Sequence, residues 1–120
     1  MDEITLVYLT KTIIGLNNIE KAKILYHYVI ISQKDKNVTV ASCLILMFSK
    51  CGDINTSEQI FTNIQHKDIF LWNIMIECYA EHGKGQKSLL FLDKMMSDKI
   101  IPNSITFVSL LNGLSHVGLF

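Results

Sequence analysis

The sequence contains no arginine, a single proline and three cysteines, and its charges cancel. Eleven lysines balance eleven acidic residues, so the net charge provides no general attraction to nucleic acid or acidic membranes, and any such contact must be local. Cys43, Cys51 and Cys78 are odd in number and irregularly spaced, which favours free thiols in a reducing compartment. No apolar run approaches the roughly 20 residues of a membrane span, so no membrane partner is expected.

A targeting signal is also missing from the start of the chain. The stretch MDEITLVYL is acidic, whereas organellar presequences are poor in acidic residues and secretory signals begin with a basic region. We therefore expect either that targeting is absent or that the sequence is a fragment.

What the sequence does contain is an internal repeat within a chain that is 49% hydrophobic, enough for one domain with a core. The stretch DIFLWNIMIECYAEHG, residues 68–83, is its clearest copy. Shifting the register back by 31 residues or forward by 35 places Gly52 and Gly118 under Gly83. A period in this range indicates a supersecondary unit that buries its apolar face by stacking on its neighbours.

Each repeat is predicted to contain two antiparallel helices, because apolar residues recur at three- and four-residue steps. Asn17, Gly52 and Gly83 are placed to end the first helices, and Asn18 and Asp53 to cap the second ones. The first helices are predicted over about residues 3–14, 40–50, 71–81 and 104–116. The second helices follow three stripes of residues expected to be buried: Ala22, Leu25, Tyr26, Val29; Ile54, Ser57, Ile60, Phe61, Ile64; and Leu89, Leu92, Met95, Met96. The last of these helices is expected to stop at the segment KIIPN, because Pro102 cannot continue it.

The runs NVTVASCLILMFSKCGDINTSEQIF, KDIFLWNIMIECYAEHGKGQKSLLFLDKMMSDKIIPN and SITFVSLLNGLSHVGLF resemble pentatricopeptide repeats. The pair Trp72 and Asn73, the helix ends KCG and EHG, and the alternation of 35- and 31-residue units are typical of the plant subclass that mixes long, short and standard repeats, the PLS subclass. The resemblance implies an all-α, right-handed α-solenoid of stacked antiparallel helix hairpins, about three and a half repeats in one domain. The repeats are 3–37 (long type), 38–68 (short type), 69–103 (standard type) and the partial 104–120, which has only its first helix.

The resemblance further implies sequence-specific binding of single-stranded RNA, one base per repeat, in mitochondria or chloroplasts. In such repeats the fifth and last residues contact the base. For residues 38–68 these are Ser42 and Asp68, which suit guanine, and for residues 69–103 they are Asn73 and Asn103, which suit a pyrimidine, cytosine more than uracil. In the first repeat, Val7 has no hydrogen-bonding group to pair with Asn37, so its base preference is open.

Second-position side chains are expected to hold each base between adjacent repeats: Thr39 with Phe70, and Phe70 with Ile105. Lys50 is a candidate for a phosphate contact, or else a solvated lysine without such a role. Stacking contributes roughly 1 to 3 kcal/mol per base, whereas micromolar binding needs about 8 kcal/mol. Two readable bases are therefore expected to give this chain alone weak RNA binding.

No catalytic residue, metal or cofactor is predicted. Mixed arrays of this kind often specify cytidine-to-uridine editing, and zinc deaminases use His-x-Glu and Cys-x-x-Cys motifs, neither of which occurs here. The histidines lie in different repeats or helices, with no pair at ligand spacing: His27, His66, His82 and His116. The chain is thus expected to act as a specificity factor, with further repeats or an editing deaminase joined in cis or recruited in trans, and with no small-molecule substrate.

Two other functions stay open at this point. A tetratricopeptide-like scaffold that binds peptides would keep a fixed 34-residue unit, and the unequal unit lengths count against it. A non-functional fragment of a repeat-array gene would agree with the partial fourth repeat, whose Phe107, Leu110, Leu111 and Leu114 are left to face an absent neighbour. In a functional protein, further repeats in a longer parent, another protein or a second copy would cover these residues.

Overall fold

The computed structural model describes residues 3–32 and 37–116, with side chains described up to residue 112. These residues form seven α-helices and contain no strand. We call the first helix of each repeat its A helix and the second its B helix. The A helices are α1 (Glu3–Leu16), α3 (Val38–Lys50), α5 (Ile69–Glu81) and α7 (Ser104–His116), and the B helices are α2 (Ile19–Ile31), α4 (Ile54–Asn63) and α6 (Gly85–Ser97).

The chain forms two compact units, Met1–Gln65 and His66–Phe120. In the first unit α3 packs against α1, α2 and α4, and in the second unit α5 and α6 both pack against each other and against α7. The A helices α1, α3 and α5 therefore contact their own B helices, and within each unit the A helices of adjacent repeats contact each other. The predicted all-α fold of stacked helical hairpins is confirmed. None of the described helices is both long and apolar enough to cross a membrane.

The predicted A-helix ends are confirmed by backbone conformation. Asn17, Gly52 and Gly83 have φ angles of 51°, 90° and 71°, in the left-handed region that stops a helix. Helix α6 ends at Ser97, and Lys99, the first residue of the predicted stop, has a φ of 63°. The left-handed residue therefore ends α6, and Pro102 lies beyond the point where the helix has already stopped.

The B helices bury one face, and equivalent serines join this face to the A helix in both units. The Ser57 hydroxyl of α4 donates to the Ile45 carbonyl at 2.6 Å, and the Ser88 hydroxyl of α6 donates to the Ile76 carbonyl at 3.0 Å. Both serines are fully buried. In each hairpin the serine lies 12 residues after its acceptor, so the same bond recurs at the same repeat position.

The aromatic core of the second unit centres on Phe91 of α6. Its ring centroid lies 6.1 Å from that of Trp72 and 5.0 Å from that of Tyr79, both on α5. The apolar position of Trp72 predicts packing between repeats; Trp72 is 3% exposed, and this ring contact lies within its own repeat. Met96 was expected on the buried stripe of α6, and this is wrong: Met95 is buried, whereas Met96 is exposed.

Candidate nucleic-acid interface

The last residue of each full repeat begins the next A helix. Asn37, Asp68 and Asn103 each use one side-chain oxygen, Oδ1, as an N-cap, which satisfies an otherwise unpaired backbone N–H group. Because of these caps, α3 and α5 begin two residues before the predicted positions. The N–H donors are those of Val40 at 3.0 Å, Leu71 at 3.0 Å and Thr106 at 3.1 Å, respectively.

Capping leaves the second polar atom of each side chain for other partners. In Asp68 this atom is a carboxylate oxygen, which accepts hydrogen bonds, whereas in Asn37 and Asn103 it is an amide nitrogen, which donates them. All three side chains are exposed. The last position of a repeat thus presents either an acceptor or donors at the surface, depending on whether it is Asp or Asn.

In the second unit the structure brings Asn73 and Asn103 together, although they are 30 residues apart in sequence. The amide nitrogen of Asn73 donates to Oδ1 of Asn103 at 3.2 Å. Asn73, on α5, is 7% exposed and counts as buried, while Asn103, before α7, is exposed. Asn103 is therefore the exposed member of the pair, and Asn73 reaches the surface only through a small part of its side chain.

A third residue, Thr106, completes this cluster, and the sequence analysis did not identify it. Its hydroxyl donates to Oδ1 of Asn73 and accepts from the backbone N–H of Asn103 at 3.1 Å. Thr106 is fully buried. The reciprocal bonds between Asn103 and Thr106 resemble a capping box, so the spacing Asn-x-x-Thr at a helix start was the signal that could have pointed to it.

Ser42, on α3, occupies the same repeat position as Asn73 and is 5% exposed. Its hydroxyl donates to the Thr39 carbonyl at 2.8 Å within the same helix, so its proton is engaged and its oxygen lone pairs are left to accept. Ser42 belongs to the first unit and Asp68 to the second. Each of the two side chains thus keeps acceptor capacity and lacks a donor.

The first repeat shows a different arrangement. The amide nitrogen of Asn37 donates to Oε2 of Glu3 at 3.1 Å, and Val7, at the fifth position, is apolar and half-buried. With its oxygen in the cap and its nitrogen bonded to a carboxylate, Asn37 already has partners for both ends of its amide.

The second-position side chains expected to hold the bases are exposed. Phe70 is 57% exposed and Ile105 is 60% exposed, each at the second residue of its A helix in the second unit. Thr39, at the same position of α3, is also exposed, as is Lys50, which ends α3. The exposed phenyl ring of Phe70, in the first turn of α5, offers a flat apolar face of the kind on which bases stack.

The three cysteines differ in exposure. Cys43 and Cys78 lie within apolar stripes of the sequence, which predicts that both are buried. Cys78 is buried, whereas Cys43 is half-buried, so the prediction for Cys43 is wrong. Cys51 is half-buried as well, and burial raises the pKa of its thiol, opposed by a backbone hydrogen bond from Asn18. A raised pKa lowers the thiolate fraction, so Cys51 is not an activated nucleophile. Among the described residues, no group of three or more His, Cys, Asp or Glu side chains is arranged to hold a metal ion.

Comparison with known proteins finds one repeat family and similarity to many longer proteins. Residues 67–116 match the PPR repeat family. The chain is 33% identical to a chloroplastic pentatricopeptide repeat-containing protein of Arabidopsis thaliana, and 34% and 36% identical to two mitochondrial ones, the second named as putative, over 98% of its length in each case. It covers 13% of the length of the first two relatives and 20% of the third.

Proposed function

We propose that this chain binds single-stranded RNA sequence-specifically, one base per repeat, as part of a longer array of the mixed PLS type. The match of residues 67–116 to the PPR repeat family supports this proposal, as does the similarity to pentatricopeptide repeat-containing proteins along almost all of the chain. The hydrogen bond between Asn73 and Asn103 carries this proposal. It joins the fifth and last residues of one repeat, which are the two residues that such a reading mechanism requires to be adjacent.

The third repeat, residues 69–103, reads a pyrimidine in this proposal. With Oδ1 of Asn103 used by the helix cap, its amide nitrogen remains to donate. Amide donors match the O2 and N3 acceptors of cytosine and the carbonyl oxygens of uracil.

The second repeat, residues 38–68, reads guanine through Ser42 and Asp68. The Ser42 proton is engaged with the Thr39 carbonyl, and Asp68 is a carboxylate. Both side chains therefore act as acceptors, and guanine is the base whose pairing edge carries two adjacent donors, N1–H and N2–H. The first repeat makes no base-specific contact, because Val7 is apolar and the Asn37 amide is bonded to Glu3.

Stacking on exposed second-position side chains supplies most of the affinity. Phe70 and Ile105 hold the base of the third repeat, and Thr39 and Phe70 hold that of the second, with Lys50 as a phosphate contact. Two bases at roughly 1 to 3 kcal/mol each give about 2 to 6 kcal/mol, which corresponds to about millimolar dissociation constants near the middle of that range. Tighter binding then comes from further repeats of the array.

The cellular role proposed is that of a specificity factor for RNA processing, including cytidine-to-uridine editing, in mitochondria or chloroplasts. The named locations of the similar proteins support an organelle. The sequence has neither motif of a zinc deaminase, so the chain supplies targeting and a deaminase in cis or in trans supplies the chemistry.

Titration of the ¹⁵N-labelled chain with short RNAs tests the proposal. An oligonucleotide with a central GC dinucleotide should shift the side-chain amide signals of Asn73 and Asn103 and the backbone signal of Phe70, with a dissociation constant of about 1 mM. The matched RNA carries AA in place of GC and should bind more weakly. Asn73→Ala should reduce the difference between the two RNAs to the part that comes from guanine at the second repeat. Equal shifts with both RNAs in the unaltered chain would refute base reading, and submicromolar binding would refute dependence on a longer array.

A further inference from the structure

Two backbone N–H groups fix the hydrogen-bond directions in the cluster of Asn73, Asn103 and Thr106. The Thr106 N–H can only donate, so the Asn103 atom 3.1 Å away is the carbonyl oxygen Oδ1. The Asn103 N–H can likewise only donate, so the Thr106 hydroxyl oxygen accepts from it. The roles of the side-chain atoms in the cluster follow from these two donors.

The amide of Asn73 is oriented by the same logic. Its atom 3.2 Å from Oδ1 of Asn103 must be the nitrogen, because two carbonyl oxygens do not bond to each other. The opposite atom of Asn73 is then Oδ1, and it is the nearer of two acceptors for the Thr106 hydroxyl, the other being Oδ1 of Asn103 at 3.1 Å. Thr106 is fully buried, so water does not compete for these contacts, and rotation of the Asn73 amide would place its oxygen against Oδ1 of Asn103 and break the hydrogen bond between the two side chains.

We propose that Thr106 is a positioning residue that makes the site of Asn73 and Asn103 prefer cytosine over uracil, by holding the Asn73 oxygen away from the base. This inference rests on the proposed RNA-reading function. Oδ1 of Asn103 already accepts two N–H groups, from Thr106 and Asn73, and Oδ1 of Asn73 is bonded to the buried hydroxyl. The N–H groups that remain are donors: one on Asn73 and two on Asn103.

A donor-only surface distinguishes the two pyrimidines at N3. In cytosine N3 is an acceptor and receives an amide N–H, whereas in uracil N3 carries a hydrogen, so two donors would face each other. Without the Thr106 hydroxyl, the Asn73 amide loses one of the two bonds that orient it. It can then turn its oxygen toward the N3–H of uracil, and the preference for cytosine falls.

Thr106 is also specific to this helix start. The residue at the same distance after the cap is Val40 for Asn37 and Leu71 for Asp68, and neither has a hydroxyl. A related cap with threonine three residues later begins the B helix α4, where the Thr56 N–H and hydroxyl both donate to the Asp53 carboxylate. Thr56 therefore provides a control at an equivalent helix start whose bonds do not involve Asn73 or Asn103.

The test compares RNAs that differ only in C or U at the position read by the third repeat, titrated into the unaltered chain and into T106V, T106S and T56V. We expect a cytosine preference of about tenfold in the unaltered chain, since discrimination at one base site corresponds to about this ratio or more. The preference should fall below about twofold in T106V, return in T106S, which restores a hydroxyl, and remain unchanged in T56V.

The outcomes separate the inference from the proposed function. Binding with the full cytosine preference in T106V overturns the inference and leaves the RNA-reading function in place. No binding of either RNA by the unaltered chain overturns both. If T106V does not fold, the exchange rate of the Thr106 hydroxyl proton in the unaltered chain tests the inference. A slowly exchanging Thr106 hydroxyl proton with a nuclear Overhauser contact to the Asn73 amide supports the inference, and a rapidly exchanging hydroxyl overturns it.

Discussion

Replacing Ser88 with alanine tests whether the recurring bond between the B and A helices stabilises each hairpin. Ser88 is fully buried, and its hydroxyl donates to the Ile76 carbonyl at 3.0 Å. A buried hydrogen bond contributes roughly 0.5 to 1.5 kcal/mol to the net stability. Alanine recovers up to about 0.5 kcal/mol through its higher helix propensity, and the lost oxygen leaves little empty volume. We therefore expect Ser88→Ala to lower the free energy of unfolding by about 0.5 to 1 kcal/mol.

Urea unfolding followed by circular dichroism measures this change. With a slope of about 1 to 3 kcal/mol per molar urea, the midpoint should fall by about 0.5 M. Ser97→Ala is the matched control, because Ser97 is exposed in the last turn of the same helix, and it should leave the midpoint unchanged or slightly higher. A Ser88→Ala midpoint equal to or above that of Ser97→Ala would refute the idea that the hydroxyl holds the two helices together.

Three further predictions concern backbone strain, the missing serine and thiol reactivity. Gly83→Ala should lower the free energy of unfolding in urea by about 1 to 2 kcal/mol, because φ at Gly83 is 71°; an added Cβ meets nothing within 4 Å, so the cost comes from the backbone alone. The control Gly15→Ala, within a helix and with equal space, should raise the free energy of unfolding by about 0.5 kcal/mol. Equal effects of the two substitutions would contradict this prediction. Ala22→Ser places a hydroxyl 12 residues after Thr10, the spacing of the serine-to-carbonyl bonds in the other two hairpins. If this hydroxyl bonds to the Thr10 carbonyl, the free energy of unfolding should stay within about 0.5 kcal/mol of that of the unaltered chain. An unpaired buried hydroxyl would lower it by roughly 1 to 3 kcal/mol. Cys51 should react with a disulfide reagent at pH 8 more slowly than a free thiol and accelerate as the pH rises, because burial raises its pKa; a rate equal to that of free cysteine would contradict the burial argument.

The helix boundaries were predictable where a local rule determines them. Asn17, Gly52 and Gly83 end helices because the left-handed conformation is accessible to Asn and Gly, and each has a positive φ. The starts of α3 and α5 were missed by two residues, since Asn37 and Asp68 were considered only as base-reading residues and not as N-caps.

The candidate site was predictable as a set of repeat positions, and its geometry was not. The resemblance to pentatricopeptide repeats implied Asn73 and Asn103 as the fifth and last residues of a reading pair, yet their hydrogen bond depends on how α5 and α7 pack. Thr106 bonds to a side chain 33 residues away, and Ser88 to a backbone carbonyl. Contacts of this kind have no signature in a one-dimensional pattern, because the acceptor is either remote in sequence or common to every residue.

Under the proposed reading function, the helix caps at the ends of the repeats restrict how base specificity could be changed. Asn37, Asp68 and Asn103 each begin an A helix, so the alphabet at this position is limited to side chains that cap well, chiefly Asn, Asp, Ser and Thr. Alanine at this position costs about 1 kcal/mol per repeat before any nucleotide is bound. The fifth residues Ser42 and Asn73 are buried, so a changed residue there must also fit its packed surroundings, whereas a changed last residue must still cap a helix.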